Sequence, residues 1–583
     1  MQPLAIKRLS AAFYRRDPRP GCPGVEHTIS PRILRLSLAN GALDVIIEAH
    51  ADQDLVAVRQ QVDSGRLRLL VGDESELSMF DLSCAYGNLL QMEVDVAGGQ
   101  IECATSLVGL PPLFVLESEA GIAIGTPTRP DTAHGINCAG IDPLAVADVL
   151  RWGYPIDSRT LAANLRLAQV GARVALGRDG LVTLPGGAEF WRPQVPPPRP
   201  LADIVDEQIS TFSRVAARLN LTNAFVSLSG GLDSRAAAVA LLAAGRTIPC
   251  VSLASDERSL DARLATAFCA AHGAEHRVLR TGEEFRRGLA DRVVETAGLT
   301  LGVSALAQSI DRYLYEQLGP GMRRRVSGNL GNQVGRAGVE SVSASAHPDS
   351  IFSAAVRAAL ATRPLEPWYL ARMCSQGFAR TLFSEEVNYS SVQNYVLGSA
   401  FAVQQTPYAD RDLIRLASEL FFQLAECRSP TVRTLRKRDI RHRFAGPPLP
   451  TSFQRQFLKR FDNAGRNVAI NWGWLARGGW SLPGLLSACP TAASAGLSKA
   501  PWLARRLRRV LPSFGFADWP QLVRSELREL TFDTLTSARI RDSGLFDMAA
   551  LERLLDRHFS GDDPRHATVV RCLEIGLGCN YIC

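Results

Sequence analysis

Lysine is nearly missing from this chain. Of its 65 basic residues, all but Lys7, Lys437, Lys459 and Lys499 are arginines, so a lysine near a candidate site carries information. The twelve cysteines, Cys22 to Cys583, contain no C-x-x-C pair, so neither a zinc ribbon nor a disulfide framework is indicated. The terminal trio Cys572, Cys579 and Cys583 reads as buried thiols and a tail. No apolar run approaches the length that crosses a bilayer, and the opening M-Q-P-L-A-I-K-R-L-S lacks the apolar core of a signal peptide. A cytoplasmic protein with no membrane span is the expectation. A net charge of +7 over 583 residues is too mild a bias to imply a nucleic-acid partner. Internal repeats are absent.

What is present describes a globular protein: 46% of residues are hydrophobic, 21% are charged, and the length exceeds one ordinary domain. Up to about Pro193 the chain reads as short β-prone segments, among them Leu43 to Glu48, Leu67 to Val71, Leu113 to Leu116 and Gly121 to Ile124. One clear helical patch, Pro143 to Trp152, interrupts them. Prolines at 196–200 then form a stiff connector that can continue neither sheet nor helix. Beyond it helices and strands alternate: Leu201 to Leu219 helical, Ala224 to Leu228 strand, Arg235 to Ala244 helix, Thr247 to Leu253 and Glu275 to Leu279 strands. Such alternation predicts an α/β fold built on a doubly wound parallel sheet, with ligands at the carboxyl ends of the strands. Pro364 to Leu420 reads as largely helical.

The stretch from Ala224 to Arg235, A-F-V-S-L-S-G-G-L-D-S-R, organises the rest. Gly230 and Gly231 permit a tight turn whose backbone N–H groups meet a helix N-terminus, where donors and the helix dipole favour a phosphate. Ser229 and Ser234 add hydroxyls, and the Asp233 carboxylate can hold Mg2+. A bare Gly-Gly turn is commonplace in α/β proteins; the full Ser-Gly-Gly-Leu-Asp-Ser string is far more specific. It resembles the PP-loop of the ATP pyrophosphatases, and its flanks resemble the synthetase half of the asparagine synthetase and β-lactam synthetase family. The resemblance implies ATP and Mg2+ as cofactors and cleavage between the α and β phosphates, consistent with the lack of a Walker lysine. It also implies that Leu228 and Leu253 line an adenine pocket.

Residues 1–195 resemble, through Gly109 to Thr126 and Gln169 to Pro193, the mainly β, Ntn-type glutaminase domain of asparagine synthetases. That glutaminase uses a cysteine directly after the initiator methionine, and this chain has Gln2 there. Gln2 cannot act as the nucleophile; Cys22 is the nearest cysteine, in surroundings unlike a glutaminase site. A degenerate domain without glutaminase activity is implied, followed by the 196–200 linker and a 201–583 ATP-binding amide-forming domain.

A second glycine-bearing turn, R-R-R-V-S-G-N-L-G-N-Q-V-G-R-A-G from Arg323 to Gly338, resembles the family's second phosphate and metal loop. Ser327 and Gly328 match it, while the acidic metal ligand falls on Asn332. An amide can still give an oxygen to Mg2+, without charge. Thr406 to Leu413 resembles a family turn, but Val403, Gln404 and Gln405 stand where an acid/base carboxylate is expected, so no general base is named. The Arg433, Arg436, Arg438, Arg441 and Arg443 run reads most plainly as a solvated helix face. In the family an arginine helix precedes Leu-Pro and a lysine about nine residues on; Leu449-Pro450 and Lys459 fit, with Lys437 next. Lys459 would stabilise charge at the α-phosphate, beside Asp233 as the second catalytic residue. Trp502 to Val510 reads as a short basic amphipathic helix.

The implied reaction is ATP-dependent amide formation through an acyl-adenylate, most like that of a lasso-peptide macrolactam synthetase. A precursor peptide would be the substrate, with a leader-binding protein and a leader peptidase as partners. The rival readings are an asparagine synthetase-like or β-lactam synthetase-like enzyme on a small amino acid, and a scaffold without activity.

Overall fold

A computed structural model of the chain describes residues 4–6, 8–14, 26–30, 33–38, 43–48, 61, 65–72, 89–106, 108–126, 137–177, 180–184, 199–257, 259–319, 321–336, 349–362, 392–426, 452–470, 475, 518–561 and 566–582. Outside this set fall Gln2, Lys7, Cys22, most of the 196–200 connector, the arginine run at 433–443, Lys437, Leu449-Pro450, Lys499 and the 502–510 segment.

Thirteen strands are described ahead of residue 185: β1 (Leu4–Ile6), β2 (Arg8–Tyr14), β3 (Glu26–Ser30), β4 (Ile33–Leu38), β5 (Leu43–Glu48), β6 (Arg66–Gly72), β7 (Leu89–Asp95), β8 (Gln100–Ala104), β9 (Phe114–Glu117), β10 (Gly121–Gly125), β11 (Leu165–Leu167), β12 (Arg173–Gly177) and β13 (Gly180–Leu184). They form a six-stranded sheet, β1-β6-β7-β8-β12-β13, and a seven-stranded sheet, β11-β9-β10-β2-β5-β4-β3. Pairing is antiparallel throughout except where β1 lies parallel to β6. Strand side chains alternate between faces, and the apolar residues follow that period. Leu67, Leu69, Val71, Met92 and Val94 of the first sheet share one buried cluster with Val45, Ile47, Val115, Ile122 and Ile124 of the second. The two sheets are therefore packed face to face, about 10 Å apart as such pairs are.

The alternate residues of the second sheet, Phe114, Leu116 and Ala123, point the other way into a different cluster. There they meet the helix Pro143–Trp152, whose N-cap Asp142 accepts from Leu144 N at 2.9 Å and which ends at Gly153 with φ 90. The same cluster takes in residues from both sides of the proline-rich connector, Leu150 and Trp152 beside Leu301, Leu551 and Leu573. One core thus crosses the boundary expected at 196–200.

The second half holds a five-stranded sheet of β14 (Ala224–Ser227), β15 (Cys250–Ala254), β16 (His276–Arg280), β17 (Arg324–Val326) and β18 (Val403–Gln405), in the order β16-β15-β14-β17-β18. Every pairing is parallel. Neighbouring residues of β14 enter different clusters: Val226 packs with the helices Leu201–Arg218, Leu232–Ala243 and Ser452–Phe461, and Phe225 with the helices Leu289–Thr300 and Ala305–Leu318. Both faces of this sheet are covered by helices, the situation in which parallel strands are apolar throughout. Strand order reverses between β14 and β17, which makes their carboxyl ends the switch point where open α/β sheets bind ligands. No single helix among the described residues is long and apolar enough to cross a membrane.

The expectation of a largely helical 364–420 segment is corrected in part. The helix Val392–Ser399 is followed by β18, which adds the last strand beside β17. Three residues with two glutamines carry no β signal; the strand exists because β17 offers it an edge.

The C-terminal helix His566–Cys579 packs against the helices Pro143–Trp152 and Leu289–Thr300 and buries Glu574, whose carboxylate accepts a hydrogen bond from Leu306 N at 3.2 Å. Burial raises its pKa from the ordinary 4.5 to about 7. With a raised folded-state pKa, this group's contribution to stability is complete below pH 4.5 and is lost as pH rises through about 7. Glu574→Gln keeps the acceptor and removes the titration. Its stability relative to wild type should therefore rise by up to roughly 3 kcal/mol between pH 4.5 and pH 8, read from paired urea melts. A flat difference would contradict the burial of an ionisable group there.

Candidate functional site

The residues at the carboxyl end of β14 form the strand, turn and helix expected from the sequence. Leu228 closes the strand with its N–H on Val251 O at 2.8 Å, and the helix Leu232–Ala243 begins with Gly231 as its N-cap. Between them the turn is held by its own serines: the Ser229 and Ser234 hydroxyls lie 2.9 Å apart, Ser229 N donates to Ser234 Oγ at 3.1 Å and Gly231 N to Ser229 Oγ at 3.2 Å. The expectation that the two glycine N–H groups face a ligand is not met: Gly231 N is taken by Ser229 Oγ, and Gly230 N donates to Asp261 Oδ1 at 3.0 Å. Burial raises the Asp261 pKa, an effect that this hydrogen bond opposes.

The second turn, at the end of β17, closes directly onto the first. Ser327 is buried, its N–H on Gln405 O at 3.0 Å, so the turn is also tied to β18. A Cβ on Gly328 would stand 2.5 Å from Ser234 N and 2.8 Å from the Asp233 carbonyl carbon; one on Gly331 would stand 2.6 Å from Asp233 Cβ. Glycine at both positions is what allows this approach. Ser229, Gly230, Gly231, Asp233, Ser234, Ser327 and Gly328 are thereby brought together at the switch point.

Other expected residues are placed differently. Gly331 lies against Asp233, and its neighbour Asn332 sits half-buried in the first turn of the helix Gly331–Arg336. Leu228 and Leu253 belong to clusters on opposite faces of the sheet. Lys459 is exposed on the helix Ser452–Phe461, five residues past Gln454 and so about 140° round the helix axis from it.

Sequence reasoning missed Gln454. Fully buried, it donates through Nε2 to Asp233 Oδ1 at 2.6 Å and to Gly331 O at 2.9 Å, joining the two turns. Its signal was a polar residue on the buried side of an amphipathic helix, between Phe453 and Phe457. Two supports beneath the turns were missed as well. Tyr408, packed on Phe212, donates to Asp233 O at 3.1 Å. Arg325 donates to Asp311 Oδ2 at 3.0 Å, Tyr315 at 3.3 Å and Ser227 Oγ at 3.1 Å. Burial opposes the Arg325 charge, but Asp311 and Tyr315 outweigh it and raise its pKa.

Mg2+ is typically held by one or two carboxylates together with phosphate oxygens and water. The site offers the Asp233 carboxylate beside serine hydroxyls and a helix N-terminus, a donor set that fits a magnesium nucleotide. Among the described residues no group of three or more His, Cys, Asp or Glu side chains is arranged to hold a metal. No family model matches the chain, and no curated protein matches it.

Proposed function

We propose that this protein is an ATP-dependent amide-forming ligase of the PP-loop type, and that it closes a macrolactam in a lasso precursor peptide by joining the N-terminal amine to an Asp or Glu side chain. The observation that carries the reading is the meeting of two glycine turns at the switch point of a parallel sheet. The serines, the Asp233 carboxylate and a helix N-terminus lie together there, the arrangement that receives phosphates at open α/β sheets. The choice of a peptide amine rests on the sequence resemblance to macrolactam synthetases.

In this reaction a substrate carboxylate oxygen attacks the α-phosphorus and pyrophosphate leaves. The amine then attacks the acyl carbon, loses its proton, and AMP departs. Ser229, Ser234 and Ser327 would hold phosphate oxygens, Asp233 would hold Mg2+ with Asn332 close by, and Mg2+ would neutralise phosphate charge. Lys459 reaches the α-phosphate only if its helix face turns toward the nucleotide, which makes it the residue of this set most in need of its own assay.

The test is release of AMP and pyrophosphate, with a linear peptide bearing a free N-terminal amine and an internal acidic side chain, and mass spectrometry for a product lighter by one water. One AMP per ring is expected, abolished by Asp233→Ala. Pyrophosphate release driven by aspartate and ammonium instead would move the assignment to an asparagine synthetase-like enzyme. Silence with every acceptor, alongside intact biological activity of Asp233→Ala, would favour a scaffold.

A further inference from the structure

We infer that Gln454 is a positioning residue: its amide aims the Asp233 carboxylate and locks the first glycine turn to the second, so that magnesium affinity at this site depends on a side chain that never touches the metal. The inference rests on the nucleotide reading above.

The geometry fixes which end of the amide does this. Nε2 lies 2.6 Å from Asp233 Oδ1 and 2.9 Å from Gly331 O, and both neighbours are acceptors. The reversed amide would set an oxygen against a carboxylate and a carbonyl, so the NH2 group must stand between them. Gln454 is fully buried, and its own Oε1 has no hydrogen-bond partner among the described residues. A buried acceptor left unmade is costly, whereas a donor to a charged group is among the stronger hydrogen bonds. A glutamine kept only to fill space would satisfy both ends or be replaced by an apolar side chain of the same size. This one leaves its oxygen unpaired to keep its two protons on Asp233 and Gly331.

The consequence for the carboxylate is orientation. One oxygen, Oδ1, is held by Gln454, while the main chain of the same residue is held by Tyr408 through Asp233 O at 3.1 Å. The lack of a side chain at Gly331 makes room for this carboxylate, since a Cβ there would fall 2.6 Å from Asp233 Cβ and 2.7 Å from its Cγ. Partners of this kind around a metal-binding carboxylate typically change metal affinity 10–100-fold when removed.

The test compares Gln454→Met, close in size but without the donor, with Gln454→Asn, which keeps the amide but falls short. Gln456→Leu, at an exposed position of the same helix, serves as control. For each, the Mg2+ concentration giving half of the ATP-induced rise in melting temperature is measured, using ATP and MgCl2 alone. The expected result is a 10–100-fold higher midpoint for both Gln454 variants, none for Gln456→Leu, and no further effect of Gln454→Met in an Asp233→Asn background. If wild type gains nothing from Mg2+ and ATP, the nucleotide reading falls and this inference with it. If wild type responds and both Gln454 variants keep its midpoint, or the effect persists in Asp233→Asn, the positioning role alone is overturned. Should Gln454→Met fail to fold, Gln454→Asn still decides between these outcomes.

Discussion

Gly302→Ala should leave the C-terminal helix unable to dock and the protein largely unfolded at physiological temperature. Gly302 sits in the turn between the helices Leu289–Thr300 and Ala305–Leu318, which bend through 107° relative to one another. Its φ is +82, a conformation that costs an L-residue about 1–2 kcal/mol. The larger penalty is steric. A Cβ there would overlap the carbonyl oxygen of Glu574 and stand 2.7 Å from Gly578 N, both backbone atoms of the helix His566–Cys579. Gly578 reciprocates, since a Cβ on it would overlap Leu301 O. Two main chains touch at this crossing, and neither can give way locally without moving a whole helix. The combined cost should exceed about 4 kcal/mol, in the range reserved for severe core defects. Gly245→Ala is the natural comparison: its φ is +72, but nothing lies within 4 Å of the added carbon, so it should lose only the backbone component. Urea midpoints for the pair separate strain from collision, and equal losses would show that the helix crossing relaxes.

Arg235→Met should be the next most damaging change and should also weaken the site. This arginine follows Ser234 directly, is 1% exposed, and donates to Val468 O at 2.7 Å and Ala469 O at 2.9 Å. Its guanidinium lies 5.2 Å from the centre of the Phe268 ring. Burial lowers its pKa to about 10, against the pull of Asp462. Asp462 in turn holds His272 and Gly465 N, each at 2.8 Å. Methionine would fill the volume and leave two part-buried carbonyls and the buried Asp462 carboxylate without their cation, a loss of about 3–5 kcal/mol for breaking a buried charged network from one side. Arg235→Lys keeps the charge but cannot span two carbonyls with a fixed fork, so an intermediate loss is expected. Because Val468 and Ala469 pin the segment after the Ser452–Phe461 helix, loosening them should also raise the Mg2+ midpoint proposed to depend on Gln454. Denaturation with and without magnesium nucleotide reads both effects, and a near-neutral Arg235→Met would refute the bridging role.

Much of this was written in short-range pattern. The apolar run at Ala224 to Leu228, the two glycines and the alanine-rich helix after them predict a strand, a turn and a helix, and all three are found. Leu43–Glu48 and Pro143–Trp152 coincide with their predicted spans, because alternation and capping are local properties of the chain. Mixed α/β architecture, with a mainly β first part and a parallel sheet with helices later, follows from the same local signals.

What surrounds the first turn was decided by tertiary structure. Glycine at 328 and 331 reads in sequence as turn chemistry, yet its necessity comes from a second turn packed so closely on Asp233 and Ser234, nearly a hundred residues away, that an added Cβ would stand within 3 Å of them. Gln454 lies 221 residues from Asp233, and only the docking of its helix against both turns makes its amide a partner of that carboxylate. Three-residue β18 had no strand signal because its stability resides in the edge that β17 presents. Local sequence therefore determined the elements and the glycine turn between strand and helix. The approach of the two turns, the orientation of Asp233 and the exposure of Lys459 depend on which distant surfaces are packed together, and no window of sequence contains that information.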